Sequence, residues 1–167
     1  GIHEAETTND TTVYDPTCGS GSLLLKVGAE ATAQVSLYGQ ESDGPTAGLA
    51  YMNMILHGSP TADIKQGNTL ANPLFTENGQ LKTFDYVVAN PPFSDKRWST
   101  GLDPLNDPHE RFKHIGVPPA KQGDYAYLLH IVRSLKSQGK GACILPHGVL
   151  FRGNAEADIR KNLIRRG

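Results

Sequence analysis

The chain predicts an α/β fold in which helices flank a mainly parallel sheet, and three observations carry that expectation. Short apolar runs alternate with stretches of helical period along its 167 residues, the pattern left by βαβ units. A glycine-bearing turn, Asp15 to Gly21, separates the first strand from the first helix. The run Phe84 to Ala89, Phe-Asp-Tyr-Val-Val-Ala, is almost continuously β-branched and aromatic, which suits a central strand buried on both faces.

Taken in order, Thr12 to Tyr14 predicts a first strand, and Leu23, Leu24, Val27 and Ala31 share one face of the helix after the turn. Ser36 to Gln40 predicts a second strand. Thr46 to His57 predicts a second helix with Leu49, Met52 and Leu56 inward, stopped by Gly58 and Pro60. Asp63 to Gln66 is a third, weaker strand, and Phe84 to Ala89 a fourth. Asp124 is placed to cap a helix whose Leu128, Val132 and Leu135 share a face and whose end Gly139 marks. Gly141 to Leu145 predicts a fifth strand. From Asn154 a last helix carries Glu156 and Asp158 early and Arg165 and Arg166 late, in the sense that favours its dipole. Ser94 to Gly123 stands apart: it holds Pro104, Pro108, Pro118, Pro119 and the single tryptophan, Trp98, without periodicity. Such long irregular segments are usually functional or disordered. Trp98 is expected either to touch a nucleic acid or to anchor this segment.

Length and a 38% hydrophobic content predict one domain, residues 1–167, with a core of its own. No run of about 18 apolar residues and no secretory leader is present, so the expectation is a cytoplasmic protein with no membrane partner. Cys18 and Cys143 lack zinc-site spacing, and no metal is expected. A net charge of −1 lacks the basic footprint of a self-sufficient nucleic-acid binder.

Asp15-Pro16-Thr17-Cys18-Gly19-Ser20-Gly21 lies between strand and helix, where small residues admit a ligand and the helix start offers free N–H groups. Glu41, about twenty residues beyond Gly21 at the end of the second strand, stands where an acid accepts both hydroxyls of a ribose. Leu24 replaces the third glycine of a dinucleotide fingerprint, and no Gly-Lys-Ser/Thr follows, so pyrophosphate and triphosphate are disfavoured. Asp15 would repel phosphate and attract an ammonium. Together these features describe S-adenosylmethionine; the two glycines alone would equally describe a tight turn.

Asn90-Pro91-Pro92-Phe93 follows the fourth strand directly. Pro91 forces Asn90 into extended backbone, and the two prolines remove donors, leaving a cluster of acceptors beside an aromatic face. Such a turn receives an NH₂ group on a flat ring, though Asn-Pro-Pro alone is also a common turn starter. In open α/β sheets ligands bind beyond the carboxyl ends of strands at the switch point, which here lies between strands one and four.

These residues resemble the modification subunit of type I restriction-modification systems, adenine-N6 DNA methyltransferases. The resemblance covers nearly the whole chain. It runs through Asp15 to Lys26, Leu37 to Glu41, Met52 to Gly58, Asn90 to Ser94, Gly123 to His130 and Leu145 to Gly153. It implies a Rossmann-like S-adenosylmethionine-dependent methyltransferase fold with sheet order 3-2-1-4-5. It implies cofactor contacts from Asp15, Thr17, Cys18, Gly19, Ser20, Gly21 and Glu41, and a flipped adenine held by Asn90, Pro91, Pro92 and Phe93. Where the family carries an acid near the cofactor's adenine this chain has Asn68, whose amide oxygen would accept from the cofactor's amine. The resemblance further implies DNA as substrate, with specificity and restriction subunits as partners. It also implies a catalytic core truncated before a closing β-hairpin and lacking the helical N-terminal domain. An RNA or protein-glutamine amide methyltransferase, or a non-catalytic cofactor-binding scaffold, are the competing expectations. His147 is not assigned a catalytic role, and Arg160, Lys161, Arg165 and Arg166 are expected to form a solvated helix end.

Overall fold

The computed structural model describes residue 2 and residues 6–166. Its centre is a five-stranded parallel sheet. In chain order the strands are β1 (Thr12–Asp15), β2 (Ser36–Glu41), β3 (Asp63–Gln66), β6 (Phe84–Ala89) and β7 (Leu135–Cys143). A short antiparallel hairpin, β4 (Thr76–Glu77) and β5 (Gln80–Leu81), sits apart from it. The sheet order is β3-β2-β1-β6-β7, so the predicted 3-2-1-4-5 arrangement holds once the hairpin is set aside. Val13 pairs with Leu37 of β2 on one side and Tyr86 of β6 on the other, which makes β1 the middle of the sheet.

The strands alternate between two buried faces, as period-two side chains must. Val13 and Leu37, with Tyr86 and Val88, face the cluster that includes Leu24, Ala50 and Met54 from α1 (Ser22–Glu30) and α2 (Gly44–Leu56). Tyr14, Val87 and Ala89 face Phe75 and Ile131. The Tyr14 ring stacks on Phe84 with centroids 4.5 Å apart. A third cluster joins Trp98 and Phe112 to α3 (Asp124–Arg133) and to Ile159 of α4 (Ala155–Arg166).

Several expectations are corrected here. α2 does not turn Leu49, Met52 and Leu56 inward: they are 49%, 59% and 73% exposed, while Ala47, Ala50 and Met54 are buried. The sheet lies close enough that small residues and one flexible methionine fill the contact, so the largest side chains are left outside. The helix is capped by Asp43, which accepts from Thr46 N at 3.0 Å, and starts ahead of the predicted Thr46. α3 is preceded by Gly123 at its N-cap, so Asp124 is not the cap, and it ends at Arg133. Ser134 closes it with N–H and hydroxyl bonds to His130 O. Leu135 then opens β7, opposite Phe84, so the fifth strand runs Leu135–Cys143 where Gly141 to Leu145 was expected, and Gly139 lies in an irregular stretch of it, not at a helix end. The misjudged face of α3 has one cause. The helix is packed on several sides, so Tyr125, Leu129, His130 and Ile131 are all buried while Val132 is 39% exposed.

The segment from Ser94 to Gly123 contains a single 3₁₀ turn, Pro104–Asn106, yet it is core. Trp98 is buried and donates from Nε1 to Pro119 O at 2.9 Å, so it anchors the segment. Beneath it Arg111 is buried and doubly bonded to Asp107, both N···O distances being 2.8 Å. Arg111 also donates to Leu70 O and faces His130 Nδ1 at 3.4 Å. Because a guanidinium only donates, that ring nitrogen is the acceptor and Nε2 carries the hydrogen toward the Tyr14 hydroxyl, 3.2 Å away. Burial, reinforced by the Arg111 charge, pushes His130 down to about 3, so the imidazole is neutral. No helix among the described residues is long and apolar enough to cross a membrane.

Candidate active site

The carboxyl ends of β1, β2, β3 and β6 open on one cavity of about 700 Å³. Thr17, Gly19, Glu41 and Asn68 form part of its wall, and Asn90 and Pro92 another part. The two predicted constellations therefore share a single space. This follows from topology: β1 and β6 are neighbours although far apart in sequence, so the segments leaving them must meet.

The turn after β1 is shaped by its glycines. Gly19 has φ +54 and Gly21 φ +80, both in the left-handed region that side chains disfavour. A Cβ on Gly21 would come within 2.5 Å of Met54 Cε, so this glycine lets α1 pack on α2. A Cβ on Gly19 would meet nothing within 4 Å, so its openness serves the cavity it lines. Gly39 belongs to the same design, for a Cβ there would strike Ile64 Cδ1 at 2.8 Å and Cys18 Sγ at 2.9 Å. Cys18 is buried as a packing residue, and Ser20 and Gly21 also stand outside the cavity wall. Asn53 of α2 supports the turn from behind by donating to Ser20 O at 2.9 Å.

Glu41 links the turn to the next loop. Oε2 accepts from Gly19 N at 3.0 Å, while Oε1 accepts from Asp43 N at 2.9 Å and from the Ser42 hydroxyl at 3.2 Å. Asp15 is buried under the turn rather than in the wall. Its Oδ1 accepts from Thr17 N at 2.9 Å, which leaves Oδ2 for a further donor. Burial pushes this carboxyl up to about 7 from 3.8, with the Glu41 charge adding to the shift and the Thr17 bonds opposing it.

Asn68 does line the cavity, but its amide is turned differently from the expectation. Oδ1 accepts from Leu70 N at 3.0 Å and Ala71 N at 3.1 Å. Only an oxygen can take two backbone donors, so the amide NH₂ is the group left for the cavity. Thr69 beside it donates to Pro16 O, and Gln40, fully buried, bonds Asn72 O and Leu74 N. The loop after β3 is thereby fastened to the turn after β1.

On the opposite wall Asn90 is exposed, with its side-chain amide making no hydrogen bond to the described residues. Pro91 is buried and Phe93 is 53% exposed, and neither contributes to the wall. The wall also contains residues that motif reading passed over. Arg97 and Thr100 arrive on the long segment, whose very length was the only hint in the sequence. Tyr127 projects from α3 and donates to Asp95 Oδ2 at 3.1 Å, both residues lining the cavity. Its position three residues after Asp124 was legible, but its facing depends on a helix packed on several sides. Arg97 is the one cation among the described wall residues, against the acids Glu41 and Asp95. His147 is exposed on a 3₁₀ turn with its ring against Phe151, and Arg160 is spent on Val149 O and Arg152 O.

The family model described as N-6 DNA Methylase matches residues 2–167. The chain is 36% identical to the type I restriction enzyme MjaIX methylase subunit of Methanocaldococcus jannaschii, covering 91% of this chain and 28% of that protein. It is 38% identical to the MpnII methylase subunit of Mycoplasma pneumoniae, covering 98% of this chain and 32% of that one. Among solved structures it is similar to a type I restriction-modification system methyltransferase subunit from Streptococcus thermophilus. The TM-score there is 0.86 and the identity 42%, over 96% of this chain and 34% of that one. The chain thus spans about a third of the length of the relatives it matches.

Proposed function

Because the chain belongs to the N-6 DNA methylase family, we propose that its cavity transfers a methyl group from S-adenosylmethionine to the exocyclic N6 amine of an adenine flipped out of DNA. One observation carries this reading above the rest: Gly19 and Glu41 share the walls of one cavity with Asn90 and Pro92. A methyl donor and an amine have to be held face to face, and positioning of that kind supplies most of what such a transfer needs.

The bound cofactor supplies an electrophilic methyl on a positive sulfur. The residues present fit such a ligand. The open side of Gly19 admits it, and the Asp15 carboxyl beneath the turn, pushed up to about 7 by desolvation, shifts toward its ionised form when an ammonium takes its Oδ2. Glu41 receives the ribose. Of the roughly four acceptor positions of a carboxylate, Gly19, Ser42 and Asp43 occupy three. The Ser42 hydroxyl, the longest of these bonds, is the one that yields to the second ribose hydroxyl. Asn68 presents its NH₂ to a ring nitrogen of the cofactor's adenine, not an oxygen to its amine.

Asn90 does the chemical positioning. Its side-chain oxygen and nearby carbonyls accept from the target amine, draw it toward tetrahedral geometry and localise a lone pair otherwise delocalised into the ring. Phe93, half-exposed, stacks on the extruded base. With a net charge of −1 the chain draws its DNA affinity from elsewhere. A specificity subunit that reads the sequence and a restriction subunit that acts on it are the partners this reading requires. Incubation with labelled cofactor, a specificity subunit being supplied, and, in parallel, duplex DNA, transfer RNA and a release factor tests the substrate class. Label in N6-methyladenine of DNA is expected. Label confined to RNA or to a glutamine amide would transfer the reading to those substrates.

A further inference from the structure

Two stretches singled out in the sequence, Gly123 to His130 and Leu145 to Gly153, have no part in the transfer as derived so far. The structure joins them through the Tyr125 hydroxyl, which donates to Val149 O at 2.7 Å, and through an ion pair, Asp124 to Arg152, with Oδ2 and Nη2 2.5 Å apart. Asp124 is fully buried. Its other oxygen, Oδ1, accepts at 2.8 Å from the backbone N–H of Ser94, the residue next after Phe93. Ser94 holds φ +54, a left-handed conformation that costs a non-glycine residue energy and persists only when its surroundings impose it. Gln122 adds a bond to Asp124 Oδ2 and one to the Ser94 hydroxyl, both at 3.1 Å. Arg152 is itself held by the buried Glu156 through Nε, at 2.6 Å.

We propose that Asp124 is a positioning residue for the Asn90–Phe93 turn, and that Arg152 aims its carboxylate at the Ser94 amide. The proposal rests on the methyl-transfer reading above. The sheet anchors the turn at its entrance, where Ala89 O accepts from Ile144 N at 2.9 Å, but Pro91 and Pro92 supply no backbone donors, so beyond Asn90 the anchoring falls to the turn's exit. Ser94 N–H is the first donor after Phe93, and the group that receives it is a desolvated anion, the strongest acceptor a protein offers. Arg152 then neutralises that anion and brings the loop from Pro146 to Arg152 against the same turn. A small displacement at Asn90 is expected to slow transfer without touching the wall formed by Gly19 and Glu41.

The test compares Asp124→Ala, Asp124→Asn and Arg152→Met with the parent, using two readouts. The first is exchange of the Ser94 amide, which needs no substrate. Exchange is expected to accelerate about 10- to 100-fold in Asp124→Ala, the range for losing a bond to a charged group, and by less in Asp124→Asn, whose single oxygen can serve the Ser94 amide only by turning its NH₂ onto Arg152. The second is the split between turnover and cofactor affinity. For Asp124→Ala and Arg152→Met, kcat for methyl transfer to DNA is expected to fall at least about tenfold, with the Kd for S-adenosylmethionine within about threefold. Asp124→Asn, which keeps one acceptor for the Ser94 amide but loses the Arg152 pair, restores only part of the rate lost in Asp124→Ala. Arg152→Met leaves the buried Asp124 and Glu156 carboxylates without their cation, so Arg152→Lys, which keeps the charge but loses the fork that reaches both, serves if neither Asp124→Ala nor Arg152→Met folds. An unchanged Ser94 exchange in Asp124→Ala, or parental kcat in Arg152→Met, overturns the proposal. So does equal loss of turnover and cofactor binding in every variant. A parent chain without transfer to DNA when a specificity subunit is supplied, while Ser94 exchange responds as expected, would count against the methyl-transfer reading and leave the anchoring role standing.

Discussion

At the scale of single residues, Asp15 offers the clearest physical signature. Its carboxyl stands near 7 in the folded chain against 3.8 when unperturbed. Between those values the folded state keeps a proton that the unfolded state has released, so this residue's contribution to stability declines as pH rises through that window. Melting curves of the parent and of Asp15→Asn, compared from pH 4 to 8, are expected to show the parent losing stability relative to the variant as pH rises. Parallel profiles would contradict the assignment. Addition of S-adenosylmethionine should flatten the parental slope, since an ammonium beside Asp15 stabilises the ionised form. The residue type and its place at the end of the first strand were legible in the sequence. Its burial beneath Thr17, and with it the raised value, depends on how tightly the turn closes, which no spacing rule conveys. Asn68 teaches the converse: its position in the wall was legible, but the direction of its amide was decided by two backbone donors, Leu70 and Ala71.

At the scale of elements, the parallel strands were the most legible parts, because a run such as Phe84 to Ala89 has few alternatives to a buried strand. The helices were less so. α2 shows why, since a face chosen for its largest apolar residues was set against a sheet that accepts alanine. A sharp contrast is expected from urea unfolding. Leu56→Lys should change stability by less than about 0.5 kcal/mol, whereas Met54→Ala should cost about 2–5 kcal/mol. A large loss from Leu56→Lys would show that face to be packed. The segment from Ser94 to Gly123 was the least legible, because its order comes from the buried Arg111–Asp107 pair and from Trp98 and not from periodicity. Arg111→Met leaves Asp107 uncompensated in the interior and is expected to cost about 3–5 kcal/mol. A cost under about 1 kcal/mol would place that pair with ordinary surface bridges.

At the scale of the whole molecule, the central claim is that sheet order brings two constellations, widely separated in sequence, to one cavity. The order β3-β2-β1-β6-β7 sets the segment after β6 beside the one after β1, and the loop after β3 closes the side beyond Glu41. On the function proposed above, the wall with Gly19 and Glu41 holds the donor and the wall with Asn90 and Pro92 the amine that receives the methyl group. The most direct measurement is of Asn90→Ala, with cofactor affinity read by calorimetry and methyl transfer read as labelled N6-methyladenine in duplex DNA. A specificity subunit is supplied in the transfer assay. Affinity is expected within about threefold of the parent and transfer reduced at least about a hundredfold. Transfer at the parental rate, or a loss of cofactor binding that accounts for the whole effect, would contradict the central claim.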